Sequence, residues 1–431
     1  MTQTISPAAL PGLFRPGMTV FVAGCGSESQ LIFQTLKANP ESARGVRFVA
    51  IHIPGVNRND YAGLHGTARY ASSFMTPDIR ASAAAGRVDF VPMHYSDVTA
   101  WLRGMRFDLA LMQVGVARPG GHSLGIAADF VPAILDRADK VIAHINPNLP
   151  APPDCPRVPE SRIDYAITAE EPLLHYDMGA GNAALTQLGA NIASLIGDGD
   201  VVQIGLGKIQ ATVLDPLHDR KNLRLHAGMI ADPVMALAAS GALAAAPDAF
   251  GRAPIVTGVA LGSPTLYDFV AGRSDIAFRP VTHTHAIDVL GRIDNLVAIN
   301  SAIEVDLLGQ ANAEMIGGRQ ISATGGLVDF LRGARRSKNG RAIVGLVSTT
   351  SDGKTSRIVS GFAPGTSVSV ARNDIDYVVT ENGIADLRGK APRARAEALI
   401  EVAAPQFRSE LEARSNQGDT LSFSEARQSH K

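Results

Sequence analysis

The chain has 431 residues, 45% hydrophobic and 19% charged, with 40 Lys and Arg set against 41 Asp and Glu. That length supports two domains around hydrophobic cores, and the charge balance leaves no basic surplus to attract nucleic acid. No apolar run approaches the roughly 18 residues of a membrane span, the start MTQTISPAALPGLFRPGM has no secretory-leader pattern, and the 2 cysteines cannot form a disulfide framework or a thiolate zinc site; the class left is a cytoplasmic α/β enzyme without a membrane partner.

In chain order, residues 17 to 36 read GMTVFVAGCGSESQLIFQTL: a short β-branched strand, a Gly-x-Gly turn and a helix with apolar residues at three- and four-residue steps. The runs VRFVAIHIPG, RVDFVPM, FDLALMQVG and KVIAHIN are expected as buried strands, with helical stretches near 28 to 38, 78 to 85, 97 to 103 and 126 to 138. That alternation is the rhythm of a parallel sheet. The proline-rich segment PNLPAPPDCPRVP, 147 to 159, is expected as an extended connection. A second strand, Gly-x-Gly and helix follows at 198 to 217, DGDVVQIGLGKIQATVLDPL, at an offset of 181 that pairs Gly24 with Gly205 and Gly26 with Gly207. Two related halves are therefore expected, an N-terminal domain over 1 to 180 and a C-terminal one over 181 to 415. Within the latter, APIVTGVAL, NLVAIN, RAIVGLVS, SVSVAR and IDYVVT are expected strands, RARAEALIEVA a late helix, and 416 to 431 a polar tail.

Each Gly-x-Gly turn can offer backbone N–H groups and a helix N-terminus to an anion or oxyanion. Neither completes a dinucleotide fingerprint, because Ser29 and Gln210 stand where the third glycine belongs. Gly121 to Gly125, GHSLG, fits the spacing of a serine nucleophile elbow, but the preceding ARPGG is a loop and not the strand an elbow requires. His283 and His285 lack an accompanying Glu or Cys at ligand spacing, so they are expected as surface or loop histidines and no metal site is assigned. Cys25 at a turn before a helix has the placement that lowers a thiol pKa, although a small buried turn residue fits as well. The run RGARRSKNGR, 332 to 341, is the one dense basic cluster. It suits a phosphate-bearing small ligand, or simply a solvated loop.

The stretch LVAINSAIEVDLLGQANAEMIGGRQISATGGLVDFLRGAR, 296 to 335, with SRIV at 356 to 359 and DYVVTENGIADLRGKAPRARAEALIEVAAPQFR at 376 to 408, closely resembles the acetyl-CoA hydrolase/transferase family, the single-chain class I CoA-transferases that include 4-hydroxybutyrate and acetate CoA-transferases. LYDFV, VVQIGLG and HSLG extend the likeness through most of the chain. The resemblance implies two tandem, similar open α/β domains with mostly parallel sheets and an active site in the cleft between them. It also implies coenzyme A as a substrate moiety with no tightly bound cofactor, an acyl-CoA or CoA ester as partner, and a homodimer or higher homo-oligomer.

In such enzymes a glutamate attacks the thioester and carries CoA as a glutamyl thioester, which divides one difficult exchange into easier steps. Its motif follows the second Gly-x-Gly by about two dozen residues; the matching stretch here is LRLHAGMIADPV, and the position is Gly228. Glycine cannot carry CoA. Glu381, in Thr380-Glu381-Asn382-Gly383, lies too far along the chain to replace it and is expected to be structural. The loop VARPGGHSLG and the triplet Leu149-Pro150-Ala151 also depart from the family pattern, on the half expected to face the acyl group.

Several site residues are thereby implied. Leu206 and Gly326 would supply backbone oxyanion donors, and Glu304 and His226 are candidates to activate water. Gly205, Gly207, Gly325 and Gly326, with Arg332, Arg335 and Lys338, would contact CoA. Thioester hydrolysis, or hydrolysis of a CoA-linked carbon–carbon bond, is favoured over transfer. An orthodox carboxylate CoA-transferase and a catalytically silent CoA-binding protein are the alternatives.

Overall fold

The computed structural model describes residues 2–179, 181–205 and 207–416, without the side chains of 210 and 211. Two large sheets organise it. The first contains β1 (Gln3–Thr4), β2 (Thr19–Val22), β3 (Arg47–Ala50), β4 (Arg69–Ser72), β5 (Val88–Phe90), β6 (Phe107–Val114), β7 (Ala138–Ile145) and β8 (Tyr165–Thr168). The second contains β9 (Val201–Gln203), β10 (Arg224–Ile230), β11 (Ile255–Ala260), β12 (Ile276–Phe278), β13 (Leu296–Ser301), β14 (Arg341–Gly345), β15 (Tyr377–Thr380) and β16 (Gly383–Asp386).

The spatial order is β1-β8-β7-β6-β2-β3-β4-β5 in the first sheet and β16-β15-β14-β13-β9-β10-β11-β12 in the second. From β2 and β9 onward the halves match strand for strand, which gives the 181-residue echo a structural basis: each copy is the first interior strand of its sheet. They differ at one edge, where β1 joins β8 in parallel and β16 folds back on β15 as an antiparallel hairpin. The other pairings in both sheets are parallel. Strands such as β6 and β11 are buried along almost their whole length, so they read as continuous apolar runs.

One apolar cluster runs without a break from Phe21 in the first sheet to Val379 in the second, while two further clusters fill the outer face of each half. Main-chain bonds also cross between the halves. The amide of Ala128 donates to Gly258 at 2.9 Å and that of Ala260 to Ile126 at 2.8 Å, placing Ala127 opposite Val259. This pairing limits the helix expected at 126 to 138 to Val131–Ile134, since its beginning is drawn out as extended chain.

Most expected strands form. SVSVAR does not: Val370 makes a single bridge with Ala311, and Val368 is exposed in a loop. Several strands, β1, β4, β8, β12 and β16 among them, lie outside the expected runs. The expected tail, 416 to 431, lies outside the described residues except for Asn416, which ends the helix Pro405–Asn416. Among the described residues, no helix is long and apolar enough to cross a membrane, and no group of three or more His, Cys, Asp or Glu side chains could hold a metal ion.

Candidate active site

A cavity of about 320 Å³ lies between the halves, at the carboxyl ends of central strands from both sheets. Ile53, Pro54 and Phe74 reach it from the loops after β3 and β4; Gln203 to Gly205, Gly228 and Ser301 reach it from β9, β10 and β13. Gly325, Gly326 and Leu327 bring the N-terminus of the helix Leu327–Arg336 to its wall. The loop before this helix is tied to the first half. Tyr95 N donates to Gly325 O at 3.2 Å, and the buried Asp329 carboxylate accepts from Ser96 N at 3.0 Å and Ser96 Oγ at 2.7 Å. Among the described residues lining the cavity there is no Asp, Glu, Lys or Arg.

The position assigned to the nucleophile is filled by another residue's side chain. A Cβ on Gly228 would stand 2.7 Å from His285 Cε1 and 2.8 Å from His285 Nε2, and a Cβ on Gly326 would stand 2.5 Å from the same Nε2. The His285 ring is thus inserted between two glycines, one on β10 and one at the helix cap. Its faces meet Tyr95 and Phe330, each with centroids 4.7 Å away. Only the missing side chains at 228 and 326 leave room for it. His285 is 5% exposed, and burial lowers its imidazole to about 3, with His226 acting in the same direction; the ring is neutral near pH 7.

This corrects the expectation of two surface or loop histidines. His283 is in the short helix Val281–Thr284 and half-buried, while His285 caps that helix inside the protein. Gly228 and Gly326 are the two positions without a side chain that the ring requires, and only the folded chain shows that one ring spans both.

The other proposed site residues separate into three groups. Gly205, Gly325, Gly326 and Gly228 line the cavity, and Gly207 caps the helix Lys208–Leu214 with φ +119°. Leu206 lies outside the described residues. His226, 2% exposed, donates from Nε2–H to Thr284 O at 3.2 Å, and its ring does not line the cavity. Burial lowers it to about 3 as well, with His283 as the next cause. Glu304, on the short strand Glu304–Asp306, accepts from Asn312 Nδ2 at 2.9 Å outside the cavity wall. Arg332 is paired with Asp374 at 3.0 Å and Arg335 with Asp376, and Lys338 is exposed in the following turn. Arg332 and Arg335 are thus ion-paired on the outer face of their helix, and neither they nor Lys338 line the cavity.

The remaining motifs have structural partners. Glu381 accepts from Ser348 N at 2.9 Å and Ser348 Oγ at 2.6 Å. Ser123, the last residue of the short strand Gly121–Ser123, accepts from Gly125 N at 3.0 Å, and no helix follows straight after it. Cys25 is fully buried, and burial with Asp129 and Glu28 nearby pushes its thiol well above the ordinary value, the opposite of a reactive thiolate. The helix after it begins only at Gln30. VARPGGHSLG and Leu149-Pro150-Ala151 contribute to a separate cleft of about 430 Å³, with Arg118, His175 and Asp268, and do not line the cavity at Gly228.

Comparison with known proteins agrees with this architecture. Residues 2–174 match the acetyl-CoA hydrolase/transferase N-terminal domain and residues 262–415 the C-terminal domain. Curated relatives include a 4-hydroxybutyrate coenzyme A transferase of Clostridium kluyveri, 36% identical over 403 residues that span 91% of this chain and 92% of the relative. An acetyl-CoA hydrolase of Neurospora crassa is 24% identical over 411 residues, 83% of this chain and 76% of that protein. Among solved structures, a 4-hydroxybutyrate CoA-transferase from Porphyromonas gingivalis aligns with a TM-score of 0.78 at 30% identity, covering 96% of this chain and 97% of that one. The chain belongs to the acetyl-CoA hydrolase/transferase family, whose members are enzymes acting on CoA thioesters.

Proposed function

We propose that the protein hydrolyses acyl-CoA thioesters whose acyl group is uncharged and apolar, and that it does so without a covalent glutamyl intermediate. The observation that carries this reading is the imidazole of His285 in the space beside Gly228, where the family resemblance assigns a carboxylate nucleophile. A second feature supports it. CoA transfer needs a carboxylate acceptor, and a wall without Lys or Arg offers such an anion no counter-charge to offset its loss of hydration. Phe74, Tyr95 and Phe330 instead give an aromatic wall suited to an apolar acyl chain. Water, being neutral, enters at little cost.

On this reading residues 1–180 and 181–415 are the two catalytic halves, CoA is a substrate moiety, and Gly205 and Gly326 belong to the backbone surface that polarises the thioester carbonyl. The protein acts in the cytoplasm as a homodimer or higher homo-oligomer. The test is release of free CoA thiol from a panel of acyl-CoA esters, run beside exchange of CoA into carboxylate acceptors. Hydrolysis of uncharged acyl-CoAs should exceed exchange, and dicarboxylic acyl-CoAs should react poorly. Robust exchange with little hydrolysis would establish a transferase, and CoA binding without turnover of any ester a silent binder.

A further inference from the structure

From the hydrolytic reading, on which this step rests, we infer that His285 Nε2 is the base that activates the attacking water and that Thr284 is the positioning residue that fixes its tautomer. Thr284 Oγ1 lies 3.4 Å from Pro280 O and 2.9 Å from His285 Nδ1. The hydroxyl has one proton. Both contacts are hydrogen bonds when Oγ1–H donates to the Pro280 carbonyl and Oγ1 accepts from Nδ1–H. Nε2 then bears the lone pair, and it is this nitrogen that lies between Gly228 and Gly326 at the cavity wall. His226 supports the arrangement from behind, since its Nε2–H donates to the Thr284 carbonyl at 3.2 Å.

The chemical step balances without any further reactant. Nε2 takes a proton from water as the water oxygen bonds to the thioester carbon. The carbonyl π electrons move to oxygen, facing backbone donors at the start of the helix Leu327–Arg336. Collapse breaks the C–S bond, and the proton held on Nε2 passes to the departing sulfur. The products are the free acid and CoA thiol. Burial makes imidazolium costly in the free protein, whereas a developing oxyanion next to the ring offsets that cost in the transition state alone, which is where stabilisation raises kcat.

The groups facing the ring from the elements packed against it are Tyr95, Phe330 and, on β10, His226; the one carboxylate in this line is Asp129, bonded to Tyr95 Oη at 3.0 and 3.1 Å. None lies against the ring as an anionic partner that would hold the imidazole protonated, so the acid limb of kcat/KM for an uncharged acyl-CoA should lie well below the usual histidine value of about 6.5.

The experiment is thiol release by wild type, His285→Gln, Thr284→Val and Thr284→Ser, with binding of a non-hydrolysable thioether analogue of the acyl-CoA measured in parallel. His285→Gln should lose about 10²- to 10⁴-fold in kcat while binding the analogue as wild type does. Thr284→Val should lower kcat without raising KM, and Thr284→Ser should restore it. Wild-type turnover in His285→Gln would overturn the inference and leave hydrolysis standing. Should that variant misfold, unchanged kcat in Thr284→Val would overturn it equally. Absence of thiol release by the wild type would remove the hydrolytic reading and the inference together.

Discussion

At the scale of single residues, Gly228 and His285 are one feature. A side chain at 228 and the ring at 285 claim the same space, so placing a carboxylate at 228 takes two changes. Gly228→Glu alone forces the new Cβ against a ring already held by Tyr95, Phe330 and Gly326. Overpacking of this kind costs about 1 to 3 kcal/mol, which urea unfolding would register as a lower midpoint at unchanged slope. Adding His285→Gly should recover most of that loss. If the remaining cavity still accepts a carboxylate substrate, the double variant should also form a glutamyl thioester that hydroxylamine traps, a species absent from either single variant. Gly228 stands out because the family resemblance implies a glutamate at its place in the motif. His285 reads as a surface or loop histidine because it is 57 positions away and no local pattern joins the two. Their relation is a contact between β10 and the end of the helix Val281–Thr284, and sequence spacing does not encode it.

At the scale of elements, that short helix has a buried histidine on either side of its carboxyl end. His226 and His285 are both lowered to about 3, chiefly by burial. Their unfolded values are about 6.5, so between about pH 6.5 and 3 the unfolded chain binds protons that the folded protein refuses. Stability is complete above 6.5 and falls as the pH drops through this window, at about 1.4 kcal/mol per pH unit for each group. Urea midpoints measured between pH 7 and pH 4 should show this decline, and His285→Gln should flatten it by one proton. Asp129 acts in the reverse sense. Burial raises it to about 7 against the Tyr95 hydrogen bond, so its contribution is largest below the unfolded value of about 3.8 and is lost as the pH rises through 7. The main strands were legible because parallel strands buried on both faces leave apolar runs. SVSVAR has the same β-branched character, yet it lies outside both large sheets, and Val370 alone of its residues makes a β-bridge. β4, RYAS, was too short and too mixed to stand out before its neighbours were known.

At the scale of the whole molecule, the duplicated architecture was legible in one pair of Gly-x-Gly turns, and the matching strand orders extend it across both sheets. How the halves meet was not legible. Their junction relies on main-chain bonds at Ala128 and Ala260 and on polar contacts such as Ser96 with Asp329, between residues far apart in the chain. Asp329→Ala should cost about 1.5 to 3 kcal/mol, because it removes a buried carboxylate that accepts two hydrogen bonds across the junction, and thermal unfolding would report the loss. The same distance hid the true setting of Arg332 and Arg335. Their density in sequence suggested an anion site, while the fold supplies Asp374 and Asp376 to meet them.

The uncharged wall has a consequence for turnover as well as for substrate choice. Hydrolysis converts a neutral thioester into a carboxylate, so the reaction turns a guest the chamber suits into one it repels. The acid fragment should leave quickly and return with difficulty, and added carboxylate should inhibit only weakly. A chamber of this kind acts as a valve: the charge created by each turnover drives its own departure and holds the back reaction off.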